Sequence, residues 1–118
     1  DIVCVTSQIK TGVRDVRSLI ELDEIIEVKP EIGKVNANKL FVWDPITDKI
    51  TMRGKSIVFK KIIERTSLTE KKLMEEFRRR TLLLEKMAKA NITDFRKVNE
   101  ILNTYIKNRE SLPPQLKV

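Results

Sequence analysis

The hydrophobic positions follow two different periods along the chain, and the change falls near residue 55. Up to Met52 the apolar residues form short runs or alternate with polar ones, which is the pattern of β-strands. From Ser56 onward they recur every three or four residues, which is the pattern of amphipathic helices. Because strands and helices do not alternate, the order of elements predicts an α+β fold, with two antiparallel β-hairpins followed by three helices.

The first hairpin begins with the apolar run Ile2–Val5, which predicts a strand covered on both faces. We expect Cys4 in this run to be a small core residue. A turn at residues 10–12 leads into a second strand over residues 13–28. A strand that is covered on both faces needs neighbours, and the chain offers few, so we expect its neighbours to lie upstream of Asp1.

The second hairpin follows a connector at residues 29–34. Pro30 in this connector cannot donate a hydrogen bond to a sheet. The two strands of the hairpin are predicted at residues 40–43 and 50–52, with an Asp- and Pro-containing loop between them. We expect Phe41 and Trp43 to share one strand face in a core or an interface.

The helical part is predicted to hold helices over about residues 56–65, 67–90 and 93–112. Ser67 and Glu70 match a capping box, Asn91 suits a left-handed C-terminal position, and Thr93 suits an N-cap. The inward residues are expected to be Phe59, Ile62 and Ile63 in the first helix, Leu73, Phe77, Leu84 and Ala88 in the second, and Phe95, Val98, Leu102 and Tyr105 in the third.

These elements predict four segments along the chain. Residues 1–28 form a closing hairpin, and residues 29–54 form the connector with the second hairpin. Residues 55–112 form a helical C-terminal subdomain, and residues 113–118 form a tail.

The composition excludes several kinds of catalytic site. The chain has no histidine, one cysteine and three glycines that lie far apart. Histidine-based triads, paired-histidine zinc sites, Cys-x-x-Cys redox pairs and glycine-rich phosphate loops are therefore excluded. We expect no catalytic residue, no metal site and no cofactor within this chain.

The net charge of +7 is concentrated in the helical part, where residues 61–118 carry 14 basic and 8 acidic side chains. This excess favours a solvated, ion-paired surface, and it leaves open docking on an acidic partner or lipid, or on nucleic acid. The run Arg78–Arg80 cannot form one patch by itself, because its side chains point about 100° apart on a helix. No apolar stretch reaches the ~20 residues that span a bilayer, and one cysteine suits a reducing compartment. We therefore expect a cytoplasmic protein.

Several short motifs occur in a distinctive order, and together they resemble the C-terminal region of archaeal type II and type IV secretion ATPases. The residues that carry the resemblance are 5–10, 13–22, 40–45, 48, 54–56, 68–70, 73–80, 84–87, 92–95 and 105. This family contains the motors of protein secretion, pilus assembly and the archaellum. The resemblance covers nearly the whole chain.

The resemblance implies that the chain belongs to a hexameric, RecA-like ATPase that works under a membrane platform protein, at the cytoplasmic face of the membrane. ATP and magnesium would bind to motifs that precede Asp1, and no nucleic acid is expected as a partner. Gln8 matches a glutamine that follows the family's histidine box, and Arg14 and Arg17 match basic positions of the closing strand. The alternative is a basic binding module for nucleic acid or an acidic membrane surface.

Overall fold

The computed structural model describes residues 2–118 as a four-stranded antiparallel sheet followed by three α-helices. The α+β prediction is therefore confirmed. Three short 3-10 helices lie at Pro30–Ile32, Arg109–Ser111 and Pro114–Leu116. The strands are β1 Ile2–Thr11, β2 Arg14–Lys29, β3 Lys34–Asp44 and β4 Lys49–Met52, and the helices are α1 Ile57–Arg65, α2 Glu70–Lys89 and α3 Phe95–Asn108.

The two predicted hairpins are parts of one continuous meander, because β2 and β3 also pair with each other along Glu21–Lys29. β3 begins at Lys34 rather than at Leu40, so residues 34–39, which precede the predicted strand, also belong to the sheet. The turn between these strands is the 3-10 helix Pro30–Ile32, and Gly33 follows it with φ 62°. Glycine adopts this left-handed conformation at no steric cost, which lets the chain reverse there.

The chain divides into two compact units, of which the first ends at Thr66 and the second is Ser67–Val118. The first unit contains the sheet and α1, and the second contains α2, α3 and the C-terminal segment. The boundary between the two units thus lies after α1, between Thr66 and Ser67. The helical subdomain is predicted to begin earlier, at residue 55. α1 lies with the sheet.

The prediction that Ile2–Val5 is covered on both faces is wrong for the described chain. Ile2 is 54% exposed, Val3 44% and Val5 36%, and Cys4 is exposed rather than in a core. The reason is topological, because β1 is an edge strand whose neighbour in the described sheet is β2. An apolar run on an edge strand stays open unless another layer or strand covers it.

The core of the second unit consists of side chains from both helices and from the C-terminal segment. Leu84 and Phe95, both predicted to face inward, are exposed, at 53% and 74%. The buried core residues are Leu83, Met87, Ile101, Tyr105, Leu112 and Leu116. The last two show that residues 112–116 pack as part of this unit rather than as a free tail.

The helix caps are partly as predicted. Asn91 has φ 52°, which confirms the left-handed residue after α2. The N-cap of α2 is Thr69 rather than Ser67, and its side chain accepts a hydrogen bond from the Lys72 N–H. The N-cap of α3 is Asp94 rather than Thr93, and its carboxylate accepts from two backbone N–H groups. In both cases a neighbouring residue with an equally suitable oxygen performs the capping.

Candidate functional site

The β1–β2 hairpin places two of the three predicted site residues opposite each other. Gln8 on β1 and Arg17 on β2 are direct cross-strand partners, and both are exposed. The backbone of Arg14 pairs with Thr11 close to the turn, whereas its side chain lies outside the described part of the chain. The hairpin thus brings Gln8 and Arg17 together, as directly opposed residues lie within ~5.5 Å of each other.

The chemistry available at this pair is hydrogen bonding to an anion. A guanidinium presents several N–H donors in a planar fork, which matches phosphate or carboxylate oxygens, and the glutamine amide adds further donors. Arg17 makes no ion pair with any other residue in the described part of the chain, so its donors are available to a partner. Neither side chain of the pair is suited to acid–base or nucleophilic work.

A buried carboxylate, which the sequence did not reveal, connects β2 to the start of α1. Glu24 is 2% exposed, and its oxygens accept hydrogen bonds from the hydroxyl of Ser56 and from the N–H groups of Ile57 (2.7 Å) and Val58 (3.2 Å). Asn38 on β3 donates a further bond to Glu24 at 3.0 Å. A carboxylate at a helix N-terminus also interacts favourably with the helix dipole.

These contacts determine the charge state of the Glu24 carboxylate. Burial alone raises its pKa, but the hydrogen bonds from Ser56, Ile57, Asn38 and Val58 outweigh burial and hold the pKa below its ordinary value. Ser56 in turn accepts a hydrogen bond from the Phe59 N–H at 3.0 Å, so it caps α1 while it donates to Glu24. Since every contact is internal, we interpret Glu24 as a clamp that joins sheet and helix.

A second acidic group lies on β2 beside the exposed valines of β1. Glu21 and Asp23 are opposite Val5 and Val3, and Lys39 on β3 donates to Glu21 at 3.0 Å. The hydrogen bond from Lys39 lowers the pKa of Glu21, whereas burial, followed by the bond to Glu21, raises the pKa of Asp23. No group of three or more potential ligands within residues 2–118 could hold a metal ion.

In the second unit, a buried tyrosine and two arginines converge on one carboxylate. The Tyr105 hydroxyl donates to Glu76 at 2.9 Å, and the Nε atoms of Arg80 and Arg79 donate to it at 2.8 and 3.4 Å. Glu76 and Arg80 are four residues apart on α2, a spacing at which ion pairs stabilise a helix. Burial alone raises the pKa of Glu76, but the bonds from Arg80, Tyr105 and Arg79 outweigh it and lower the pKa. The two arginines thus share one carboxylate, whose single negative charge compensates one of the two cations.

Replacing Tyr105 with phenylalanine should raise the pKa of Glu76, because the carboxylate loses a hydrogen bond that stabilises its charged form. Since the pKa of Glu76 is lowered by folding, the stability that it contributes is present above its ordinary value and is lost as the pH falls. We therefore expect Tyr105→Phe to cost about 1 kcal/mol at neutral pH and less in acid. Carboxyl-carbon NMR titration measures the shift, and an unmoved pKa of Glu76 would refute it. The exposed neighbour change Ile106→Val should leave the pKa unchanged.

None of the helices in residues 2–118 combines the length and the hydropathy needed to cross a membrane.

Comparison with known proteins finds a similar protein but no matching family model. No model of a known protein family matches the chain. The chain is similar to an uncharacterized protein of the archaeon Methanocaldococcus jannaschii, with 27% identity over 87 residues. The match includes 74% of this chain but only 32% of that protein, so the chain corresponds to about a third of the length of this relative. This similarity by itself assigns no activity.

Proposed function

We propose that the chain is the C-terminal part of a hexameric motor ATPase of secretion, pilus assembly or the archaellum. In this proposal the β1–β2 hairpin completes a RecA-like ATPase core, and the helices contact neighbouring subunits or a membrane platform protein at the cytoplasmic face of the membrane. The ordered motifs described above support the proposal. The similarity to a longer archaeal protein is consistent with it but names no activity.

The observation that carries the proposal is the open apolar edge of the sheet. Ile2, Val3 and Val5 are between 36% and 54% exposed along a strand that pairs on one side only within residues 2–118. An exposed apolar edge strand invites pairing with further strands, which natural proteins normally prevent by charges, prolines or covering elements. In a core sheet that continues beyond β1, a further strand would pair with β1 and cover this open edge.

The proposal gives Gln8 and Arg17 a role at the border of the nucleotide site or of a subunit interface. They lie opposite each other on the same hairpin, and their donors face solvent. ATP and magnesium would be held by residues outside this chain, while Gln8 and Arg17 would contact phosphate or a neighbouring subunit. Arg14 lies on the same hairpin and keeps the same predicted role.

The charge distribution favours protein contacts over nucleic acid as the task of the helical unit. Arg79 and Arg80 both pair with Glu76, whose single negative charge compensates one of the two arginines. Phosphate contacts require lysines and arginines that are not already paired within the protein. Such cations displace the counterions that are condensed on the nucleic acid. The basic binding module therefore loses part of its strongest cluster, and it becomes an outcome of the test below.

The chain alone should neither bind ATP at micromolar concentration nor hydrolyse it, because it lacks a phosphate-binding loop. Equilibrium dialysis with labelled ATP and a phosphate-release assay measure both properties. Turnover by the purified chain would contradict the proposal. A DNA titration is the matched control, since affinity that falls steeply with added salt would favour the basic binding module instead.

A further inference from the structure

The helix α2 carries a second apolar stripe that the core of its unit does not use. The buried side chains of α2 are Leu73, Leu83 and Met87. The second stripe consists of the exposed residues Met74, Phe77, Thr81, Leu84 and Ala88. Its large apolar side chains, at positions 74, 77 and 84, are between 37% and 53% exposed. Contiguous exposed apolar surface of this kind is typical of interaction sites.

The spacing of the stripe is that of a coiled-coil seam. Its members follow one another at intervals of three, four, three and four residues from position 74 to position 88. This is the heptad spacing by which two helices pack side by side. With a rise of about 1.5 Å per residue, the stripe is about 21 Å long. A narrow seam of this length fits another helix.

Charged residues flank the stripe on the side away from the core. Lys71, Arg78 and Glu85 lie there at intervals of seven residues, and all three are exposed. None of them forms an ion pair with another residue within residues 2–118. The flank is therefore basic from the start to the middle of the stripe and acidic near its end. A second helix of the same sequence, running in the opposite direction, would place Glu85 beside Lys71 at both ends.

We propose that the exposed stripe of α2 packs against the same stripe of a second copy of the chain, in an antiparallel, two-fold arrangement. Met74 of each copy packs on Leu84 of the other, and Phe77 packs on Thr81. Lys71 of each copy pairs with Glu85 of the other, so the ion pair forms twice. Arg78 lies close to its own counterpart at the two-fold axis, and this like-charge contact limits the affinity.

The inference does not depend on the motor proposal. Two-fold contacts join identical surfaces, whereas neighbours in a closed six-membered ring meet through different surfaces. In a hexameric motor the α2 contact would therefore connect two rings rather than neighbours within one ring.

The charges favour a second copy over an anionic membrane or an evenly acidic helix. Either of those partners would match Lys71 and Arg78. Both would also meet Glu85, and Glu70 at the start of α2, which is exposed and lies in line with the stripe. Like charges at a contact disfavour association, and an antiparallel copy avoids them at both ends of the stripe.

Sedimentation equilibrium of the full chain over a range of concentrations tests the inference. We expect a reversible dimer with a dissociation constant on the order of 100 μM, because a contact of one helix from each copy is small. The change Leu84→Ala should weaken the dimer at least about tenfold, since each copy loses a buried leucine. The matched control is Leu82→Ala, because Leu82 is 42% exposed and lies about 200° around α2 from Leu84. This control should dimerise as the unchanged chain does.

Charge reversal tests the antiparallel direction. Lys71→Glu and Glu85→Lys should each weaken the dimer about fivefold, because each change turns two attractive contacts into repulsive ones. The two changes together should restore the affinity to within about twofold, because the ion pairs form again with the signs exchanged. Arg78→Gln should strengthen the dimer about twofold, because it removes the like-charge contact at the axis.

Three results would overturn the inference. The first is a chain that stays monomeric up to ~1 mM, about ten times the expected dissociation constant, including a chain that instead binds phosphatidylserine vesicles. The second is an equal loss of affinity for Leu82→Ala and Leu84→Ala. The third is a double charge reversal that fails to recover the affinity, because Lys71 and Glu85 would then not face each other.

Discussion

Replacing Glu24 with alanine is expected to lower the free energy of unfolding of the first unit by about 3–5 kcal/mol, which is a large share of the stability of a small unit. The change leaves donors on Ser56, Ile57 and Val58 without their acceptor, and it also removes a fully packed side chain. Asn38 keeps one partner, the Lys55 carbonyl, at 3.1 Å. The start of α1 should therefore detach from β2 first.

Urea unfolding followed by tryptophan fluorescence measures this effect, because Trp43 is the one tryptophan of the chain and lies in the same unit. The matched control is Glu27→Ala, an exposed glutamate on the same strand whose contact with Lys29 is a surface ion pair. We expect the control to change stability by no more than about 0.5 kcal/mol. Equal effects of the two substitutions would refute the clamp.

The clamp should also be visible in the pH dependence of stability. The pKa of Glu24 is lowered in the folded chain from an ordinary value of 4.5, so the unfolded state binds a proton more readily. Its contribution is therefore complete above the ordinary value and is lost as the pH falls through the lower, folded-state pKa. The Glu24→Ala chain should lose less stability over this acidic range than the unchanged chain does.

The second large effect is expected for Leu83→Ala, which should destabilise the second unit by about 3 kcal/mol. Leu83 is 1% exposed and packs in the cluster with Met87, Ile101 and Leu116, so its removal leaves a cavity that this small core cannot easily close. Amide hydrogen exchange in α2 and α3 reports the stability of this unit. Faster exchange throughout both helices is the expected result.

Leu84→Ala is the matched control for this prediction, because Leu84 is the next residue and is 53% exposed. We expect a cost below about 1 kcal/mol there, since little apolar surface returns to water. The sequence pattern predicts the opposite ranking, with Leu84 inward. A larger effect at Leu84 than at Leu83 would contradict the packing described for α2.

The element order could be predicted from the sequence because the hydrophobic period changes once, near residue 55. The early part of β3 could not, because residues 34–39 alternate too few apolar side chains to be recognised as a strand. The three consecutive leucines at positions 82–84 likewise conceal which one faces inward. In both cases pairing and packing with distant residues decide the structure.

The candidate sites differ in how well the sequence reveals them. The facing pair Gln8 and Arg17 follows from a turn at residues 12 and 13, whereas the predicted turn at residues 10–12 sets a different register. The Glu24 clamp could not be predicted, because Ser56 lies 32 positions away from its partner. In the sequence Glu24 is one more charged residue of a strand, and only the fold makes it buried.

The central claim, that this chain completes a motor ATPase, is tested most directly by measuring ATP hydrolysis by the longer protein that includes the coding sequence preceding Asp1. The account predicts magnesium-dependent hydrolysis by the longer protein, none by the chain alone, and reduced hydrolysis when Arg17 is replaced with alanine. A preceding sequence without a strand and a Gly-Lys-Ser/Thr loop, or a longer protein that does not hydrolyse ATP, would contradict the account.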